Sequence, residues 1–538
     1  MVSEATDLPF TPSLPHQLSL VATLQKRWKE APLPNCQATA LVWLGEDQEN
    51  LSWSYHELEQ QIFVQAQWLR QLGLEKGSVL GLQLPKGPQW LPLFLGALSQ
   101  GIIVLLLNDS YTAHELAYYL SDAQAQVAII PSSKHLALKG LLKPIKEDHT
   151  NLTLVAAEYC QTLPTKHLQE EISSLVSKEL TASDLAVLAY TSGTTGRPKG
   201  AQIRHQDMMG TITGLHKAWG WSIEDRLVHT LPLFHIHGLF VAALGALWAK
   251  AQILMLSSFS ALKALQAVER HQATILMAVP THHHRYLQIP AEDRPNVTSL
   301  RLVTSGSAPL SSERFEAFKS AYGKEIVERY GMTEIGIVLS AKLHGEKKPG
   351  SVGYPLPGVL VRICDANNQE VSRGEIGELH ISSPSLFLGY HQLPEATSKS
   401  VYLDQDQTRW MRTGDLGYQD KDGMYWLKGR ASEMIISGGL NVYPKEVEQS
   451  IIQIAKDLNL PLDEVAVVGL DDVDWGERVE AFVTTLNQQE LSKDSLSSIT
   501  IEVKKRLAGY KCPKNISWLA TLPRNAMGKL QRFKLKTI

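Results

Sequence analysis

Short apolar runs that end in small or turn residues recur along this chain with helical patterns between them, and that alternation limits the architectures open to it. ATILMAVP (273–280), LRLVTSG (300–306) and GSVLGLQLP (77–85) read as buried strands, whereas SYHELEQQIFVQAQWLRQLGL (54–74) has helical spacing and stops at Gly73. Strands alternating with helices predict an α/β fold with largely parallel sheets, whose ligand sites lie at strand C-termini. From about 350 to 430 the texture changes: GELHISSP (377–384) and RWMRTGDLGYQDKDGMYWLKGR (409–430) predict short antiparallel strands and hairpins. After GRASE (429–433) a smaller unit begins, with EVAVVGL (464–470) and ERVEAFVTTL (477–486) as strands and a helix around 498–507. At 538 residues the chain is too long for one core, so two or more domains are expected.

With 52 basic and 55 acidic residues the net charge is -3, so no global field favours nucleic acid or an anionic membrane, and any anion must be held locally. Cys36, Cys160, Cys364 and Cys512 form no CxxC pair, which argues against a disulfide framework or zinc ribbon and for a reducing cytoplasm. MVSEATDLPF has neither a basic n-region nor an apolar core and reads as no signal or transit peptide. WLPLFLGALSQGIIVLLLN (90–108) is apolar enough for a membrane span, but Pro92, the Ser99-Gln100-Gly101 break and the β-branched run predict buried helix, turn and buried strand.

AYTSGTTGRPKGAQIRH (189–205) follows the apolar run LAVLAY (185–190). Walker A needs Gly-Lys-Ser/Thr, but here Pro198 precedes Lys199 and Gly200 follows it, so the register fails. The composition still suits a polyphosphate. Gly193, Gly196 and Gly200 let backbone N–H groups approach, the hydroxyls of Thr191, Ser192, Thr194 and Thr195 donate, and Lys199 adds charge.

YTSGTTGRPKG resembles the phosphate loop of the AMP-forming adenylating enzymes, which include acyl-CoA synthetases. LPLFHIHG (231–238), SGSAPL (305–310), ERYGMTE (328–334), RTGDLG (412–417), KGRASEMIISGGLNVYPKEVE (428–448) and PRNAMGK (523–529) follow in the family's order, so the likeness spans nearly the whole chain. It implies a large domain over 1–429 with mostly parallel sheets and a small β-barrel-like part, a hinge over 430–433, and a small mobile α+β domain over 434–538. It also implies the chemistry: a carboxylate attacks the α-phosphate of ATP to give acyl-adenylate and pyrophosphate, and the thiol of coenzyme A then displaces AMP.

By the same resemblance, residues 191–199 hold the β- and γ-phosphates, Glu334 binds Mg2+ and Thr333 touches phosphate. Tyr330 lies against adenine beside Ser307, Ala308 and Pro309, with Gly331 and Met332 completing the nucleotide site. Asp415 accepts from the ribose hydroxyls, Arg430 donates to ribose or phosphate, and Lys529 approaches the reacting carboxylate during adenylation. The small domain then rotates about Ser432, where the family usually has Asp or Lys, and Gly438 and Gly439 line the coenzyme A channel.

The acyl pocket is assigned to His235, which matches a histidine common to the family, with His237, Ser305, Gly306 and Arg329. A buried guanidinium needs an anionic partner, so Arg329 points to a second carboxylate on the substrate; pairing with Glu328 is the alternative. LPLFHIHGLF, SGSAPL and ERYGMTEIG together resemble malonyl-CoA synthetases, which implies malonate or a related dicarboxylate. A monocarboxylic acyl-CoA synthetase, a loader of a carrier protein (hinted at by KDSL, 493–496) and a non-catalytic nucleotide sensor are the other readings. THHHRYL (281–287) is expected to be polar pocket wall rather than a metal site, because three consecutive histidines cannot point one way. A monomer or homodimer is expected, with neither nucleic acid nor membrane as partner.

Overall fold

The computed structural model describes residues 18–30, 38–45, 51–142, 152–161, 176–177, 179–191, 198–437, 440–486, 488–525 and 529–538. They pack into two compact units, residues 1–361 with 381–411 and residues 362–380 with 412–538.

Two sheets organise the first unit. In one, Thr39–Leu44, Gln252–Leu256, Arg226–His229, Ile275–Ala278, Leu302–Ser305 and Ile326–Met332 lie side by side in parallel, and Gly336–Ser340 turns back antiparallel to the last. In the other, Thr153–Ala156, Val127–Ile130, Val79–Leu82, Ile103–Leu106 and Leu185–Thr191 are parallel, with Lys199–Arg204 antiparallel at the side of Leu185–Thr191. Strands such as Ile275–Ala278 are buried at every position, as a sheet covered on both faces requires, so they read as continuous apolar runs. The helices cover them: Phe315 and Phe318 of the helix Ser312–Tyr322 join Val228, Leu254, Leu276 and Val303 in one core.

The helix Tyr55–Gln71 opens with a reciprocal cap, in which Ser54 Oγ accepts from the Glu57 N–H at 3.2 Å while Glu57 reaches back to the Ser54 N–H. The membrane-like run resolves into a helix, Trp90–Ser99, buried at all ten positions, a turn, and the strand Ile103–Leu106. No helix among the described residues is long and apolar enough to cross a membrane.

In the second unit, Arg409–Gln419 runs antiparallel to Tyr425–Arg430, as the hairpin pattern predicts. The expected small β-barrel is a misreading. Leu360–Cys364, Gly377–Ser382, Arg409–Gln419 and Tyr425–Arg430 form an open path with Leu360–Cys364 at its edge, and no barrel closes among the described residues. Closure needs the first strand to pair with the last at a fixed stagger. Leu462–Asp472 and Gly476–Thr485 pair antiparallel under the helices Pro444–Asp457 and Lys493–Arg506, which bury Val447, Ile451, Ile454, Ile499 and Val503. The second helix starts earlier than the sequence pattern indicates because Ser492 caps it, accepting from the Ser495 N–H at 3.1 Å. Ser495 of KDSL therefore sits in a capped first helical turn.

Candidate active site

Leu185–Thr191 and Lys199–Arg204 form a hairpin whose last described pair is Thr191 opposite Lys199. Ser192, Gly193, Thr194, Thr195 and Gly196 lie outside the described residues. The chain therefore enters and leaves the glycine-rich loop by strands, unlike a Walker loop, which leads into a helix. At that last described pair Thr191 Oγ1 donates to Glu334 Oε1 at 3.1 Å, and the Tyr390 hydroxyl donates to the same oxygen at 3.1 Å. The ammonium of Lys199 lies 5.1 Å from the centre of the Tyr390 ring. Glu334 is buried, on the turn between Ile326–Met332 and Gly336–Ser340 that also carries Thr333. The structure thus brings Thr191, Lys199 and Glu334 together. It adds Tyr390, for which FLGYHQ carries no motif signal. A carboxylate and a hydroxyl beside a phosphate-type loop are hard oxygen donors of the kind Mg2+ takes, so these residues fit that ion.

The second group forms where strands of the first sheet end. Gly238 has no alternative: a Cβ there would meet the Pro232 carbonyl oxygen at 2.0 Å. That close approach folds LPLFHIHG back on itself and starts a π-helical stretch, His237–Leu244, of a kind found often at functional sites. The His237 N–H donates to His235 Nδ1 at 3.2 Å, so a neutral His235 carries its proton on Nε2. Ser307, in the left-handed region at φ 69°, brings its Oγ to 3.3 Å from His237 Nδ1. Ser305 ends its strand, and Ala308 and Pro309 continue the loop. Gly306 supports the Arg329 guanidinium directly, since a Cβ there would meet Arg329 Cζ at 2.4 Å.

Arg329 is 6% exposed, and its Nε and Nη2 have no hydrogen-bond partner among the described residues. Glu328, next along the strand, faces the other way and accepts from the Gly350 N–H at 2.7 Å. Burial, with no opposing carboxylate, pushes the Arg329 pKa down to about 9, so the group stays cationic at neutral pH. Tyr330, Gly331 and Met332 complete the strand, with Tyr330 buried opposite Leu339.

The three histidines of THHHRYL lie on the helix Pro280–Leu287 and diverge. His282 stacks on Phe259 with ring centres 3.5 Å apart, His283 Nε2 meets the Thr304 carbonyl at 3.2 Å, and His284 Nε2 meets Gln288 at 3.1 Å. His229 Nδ1, Thr230 Oγ1, His237 Nε2, His282 Nδ1, Thr304 Oγ1 and Ser305 Oγ are buried without a partner among the described residues, like the two Arg329 nitrogens. Such atoms are costly unless a polar ligand meets them.

Burial also keeps the imidazoles neutral. It lowers the His205 and His283 pKa values from 6.5 to about 4 and that of His282 to about 3, and holds His229 and His237 well below the ordinary value. An unfolded chain binds protons at these rings near pH 6.5, whereas the fold refuses them until about pH 4 for His205 and His283. The unfolded state therefore holds more protons in that window. Stability should fall as pH drops through it, by up to about 1.4 kcal/mol per pH unit for each ring. Urea midpoints measured between about pH 7 and about pH 5 should decline; a flat profile would contradict the neutral assignment.

In the second unit Asp415 and Arg430 are direct cross-strand partners, with Arg430 Nε 2.9 Å from Asp415 Oδ1. Arg430 Nη1 also donates to the Thr413 carbonyl at 2.9 Å. Ser432 sits in a short 3-10 turn, Ala431–Glu433, and Glu433 pairs with Arg532 at 3.1 Å. Lys529 closes a small loop in which its N–H donates to Asn525 Oδ1 and the Asn525 N–H donates to the Lys529 carbonyl, both at 2.9 Å. Gly438 and Gly439 lie outside the described residues.

Residues 28–391 match the AMP-binding enzyme family and residues 459–529 the AMP-binding enzyme C-terminal domain. A mitochondrial malonate–CoA ligase of Mus musculus is 34% identical over 81% of this chain and 77% of its own length. A long-chain-fatty-acid–CoA ligase of Bacillus subtilis is 29% identical over 97% of this chain and 96% of its own. Among solved structures, ATP-bound MatB from Rhodopseudomonas palustris superposes with a TM-score of 0.84 at 31% identity, covering 97% of this chain and 99% of that one.

Proposed function

This chain belongs to the AMP-binding enzyme family, and we propose that, as an AMP-forming acyl-CoA synthetase, it joins malonate or a related short dicarboxylate to coenzyme A. A substrate carboxylate oxygen attacks the α-phosphorus of ATP; the new O–P bond forms as the bond to pyrophosphate breaks. The sulfur of coenzyme A then attacks the acyl carbon, forming the thioester as AMP leaves and the thiol proton is released. Both steps bring anions together, so preorganised cations and donors supply much of the rate enhancement.

Lys199 and Thr191 hold the pyrophosphate, with Ser192, Gly193, Thr194, Thr195 and Gly196 supplying the rest of the loop. Glu334 and Thr191 would hold Mg2+, which when bound offsets phosphate charge. Tyr330 packs on adenine with Ser307, Ala308, Pro309, Gly331 and Met332, and Thr333 meets phosphate. Asp415 accepts from the ribose while Arg430 orients it, a role supported by their ion pair. Lys529 neutralises the reacting groups, Ser432 is the hinge, and Gly438 and Gly439 leave room for the coenzyme A arm. His235 and His237, with Ser305 and Gly306, shape the acyl site. The free thiols of Cys364 and Cys512 favour a cytoplasmic home.

The observation that carries the dicarboxylate reading is Arg329: a buried cation whose Nε and Nη2 have no partner among the described residues, set among orphaned polar atoms unsuited to an aliphatic tail. AMP release measured with malonate, methylmalonate, succinate, acetate and a medium-chain fatty acid should favour a dicarboxylate. Preference for acetate or the fatty acid would overturn the reading. Glu334→Gln, which keeps the shape but removes the charge, should lower kcat for adenylation by about 100-fold and weaken its dependence on Mg2+. An unchanged Mg2+ titration would remove Glu334 from the metal site.

A further inference from the structure

Lys86, in LPKGPQW, follows the strand Val79–Leu82, so it leaves the C-terminal end of one sheet just as His229 leaves that of the other. The two meet: Lys86 Nζ donates to the His229 carbonyl at 2.9 Å. His229 is in turn tied to the acyl-site motif, its Nε2 lying 2.8 Å from the Gly238 carbonyl. Lys86 is partly exposed, and burial holds its ammonium pKa well below the ordinary value, so a bound anion would favour its cationic form. Its charge acts on both His229 and His282, and His282 and Arg329 both act on His237. Lys86 and Arg329 thus act on one connected set of imidazoles. Asp109, the carboxylate that opposes Lys86, is shared with Lys134; burial raises its pKa to about 6, so one mostly ionised carboxylate serves two lysines at neutral pH.

We propose that Lys86 is a second cation of the acyl site and a determinant of its specificity, so that the distal acid group of the substrate is held between Lys86 and Arg329 by way of the orphaned His237 Nε2 and hydroxyl donors. The class it selects is an acid whose far group is fully ionised at neutral pH, a carboxylate or a sulfonate, over one ending in a methyl, hydroxyl or amide. This inference rests on the dicarboxylate reading.

The test compares malonate with propionate, which has the same three-carbon backbone and no second charge. Lys86→Met keeps an unbranched stem of similar length and removes the charge. It should lower kcat/KM for malonate by about 10- to 100-fold, the scale of losing one charge-assisted contact, and leave propionate and the KM for ATP nearly unchanged. Lys86→Arg, which should fold if Met at this site does not, should retain most of the preference for malonate. In the double variant with Arg329→Met the losses should combine to less than their product, because the two cations share one anion. Wild-type preference for propionate would overturn the dicarboxylate reading and this inference together. Wild-type preference for malonate with an unchanged ratio in Lys86→Met, or equal loss on both acids, would overturn this inference alone.

Discussion

Arg329→Met should lower kcat/KM for malonate by about 100-fold, equivalent to roughly 2–3 kcal/mol of lost transition-state binding, while raising the thermal midpoint of the substrate-free protein. The two effects have one cause. A guanidinium that is 6% exposed, with two nitrogens unpaired among the described residues, costs the substrate-free fold its desolvation, and the cost is recovered only when an anion binds. Methionine fills most of the volume and removes the cost. Acetate turnover should be little affected, since acetate brings no second charge. Kinetics on both acids and a melting curve without substrate check the prediction. Loss of stability alongside loss of activity on every acid would instead assign Arg329 to the fold.

Lys529→Ala should nearly abolish the first half-reaction and spare the second. Adenylation gathers a carboxylate and a triphosphate, and removing the lysine proposed to neutralise them should reduce acid-dependent pyrophosphate release by about 1000-fold. Thioester formation from supplied acyl-adenylate and coenzyme A should stay within a few-fold of wild type, because the proposed mechanism does not use the lysine in that step. The local fold should survive as well. The Lys529 backbone N–H donates to Asn525 Oδ1, a bond that truncation of the side chain leaves in place. Equal loss of both half-reactions would contradict the division of labour.

The parts of the fold legible in the sequence were those governed by local pattern. Ile275–Ala278 and Leu302–Ser305 read as strands because a sheet buried on both faces must be apolar throughout, and Tyr55–Gln71 reads as a helix because its apolar residues keep helical spacing up to Gly73. Whether the strands between Leu360 and Arg430 close a barrel is a matter of stagger between distant edges, which composition does not encode. The site divides in the same way. Glu334 and Lys199 announce themselves through motifs, but Tyr390 meets Glu334 from 56 residues away, and Lys86 joins the histidines only because two sheets end at the same place. Arg329 falls between these cases: its charge drew attention in ERYGMTE, yet that two of its nitrogens lack a partner among the described residues is a property of packing.

The ratio of kcat/KM for malonate to that for propionate, measured on the wild-type protein with ATP, Mg2+ and coenzyme A, tests the central claim most directly. Two acids of equal carbon count isolate the second charge. A buried, unpaired guanidinium predicts a ratio of at least about 100, the scale of a charge-assisted contact made in a site that excludes water. A ratio near or below one would mean that the cation of Arg329 does not read the substrate, and would contradict the account.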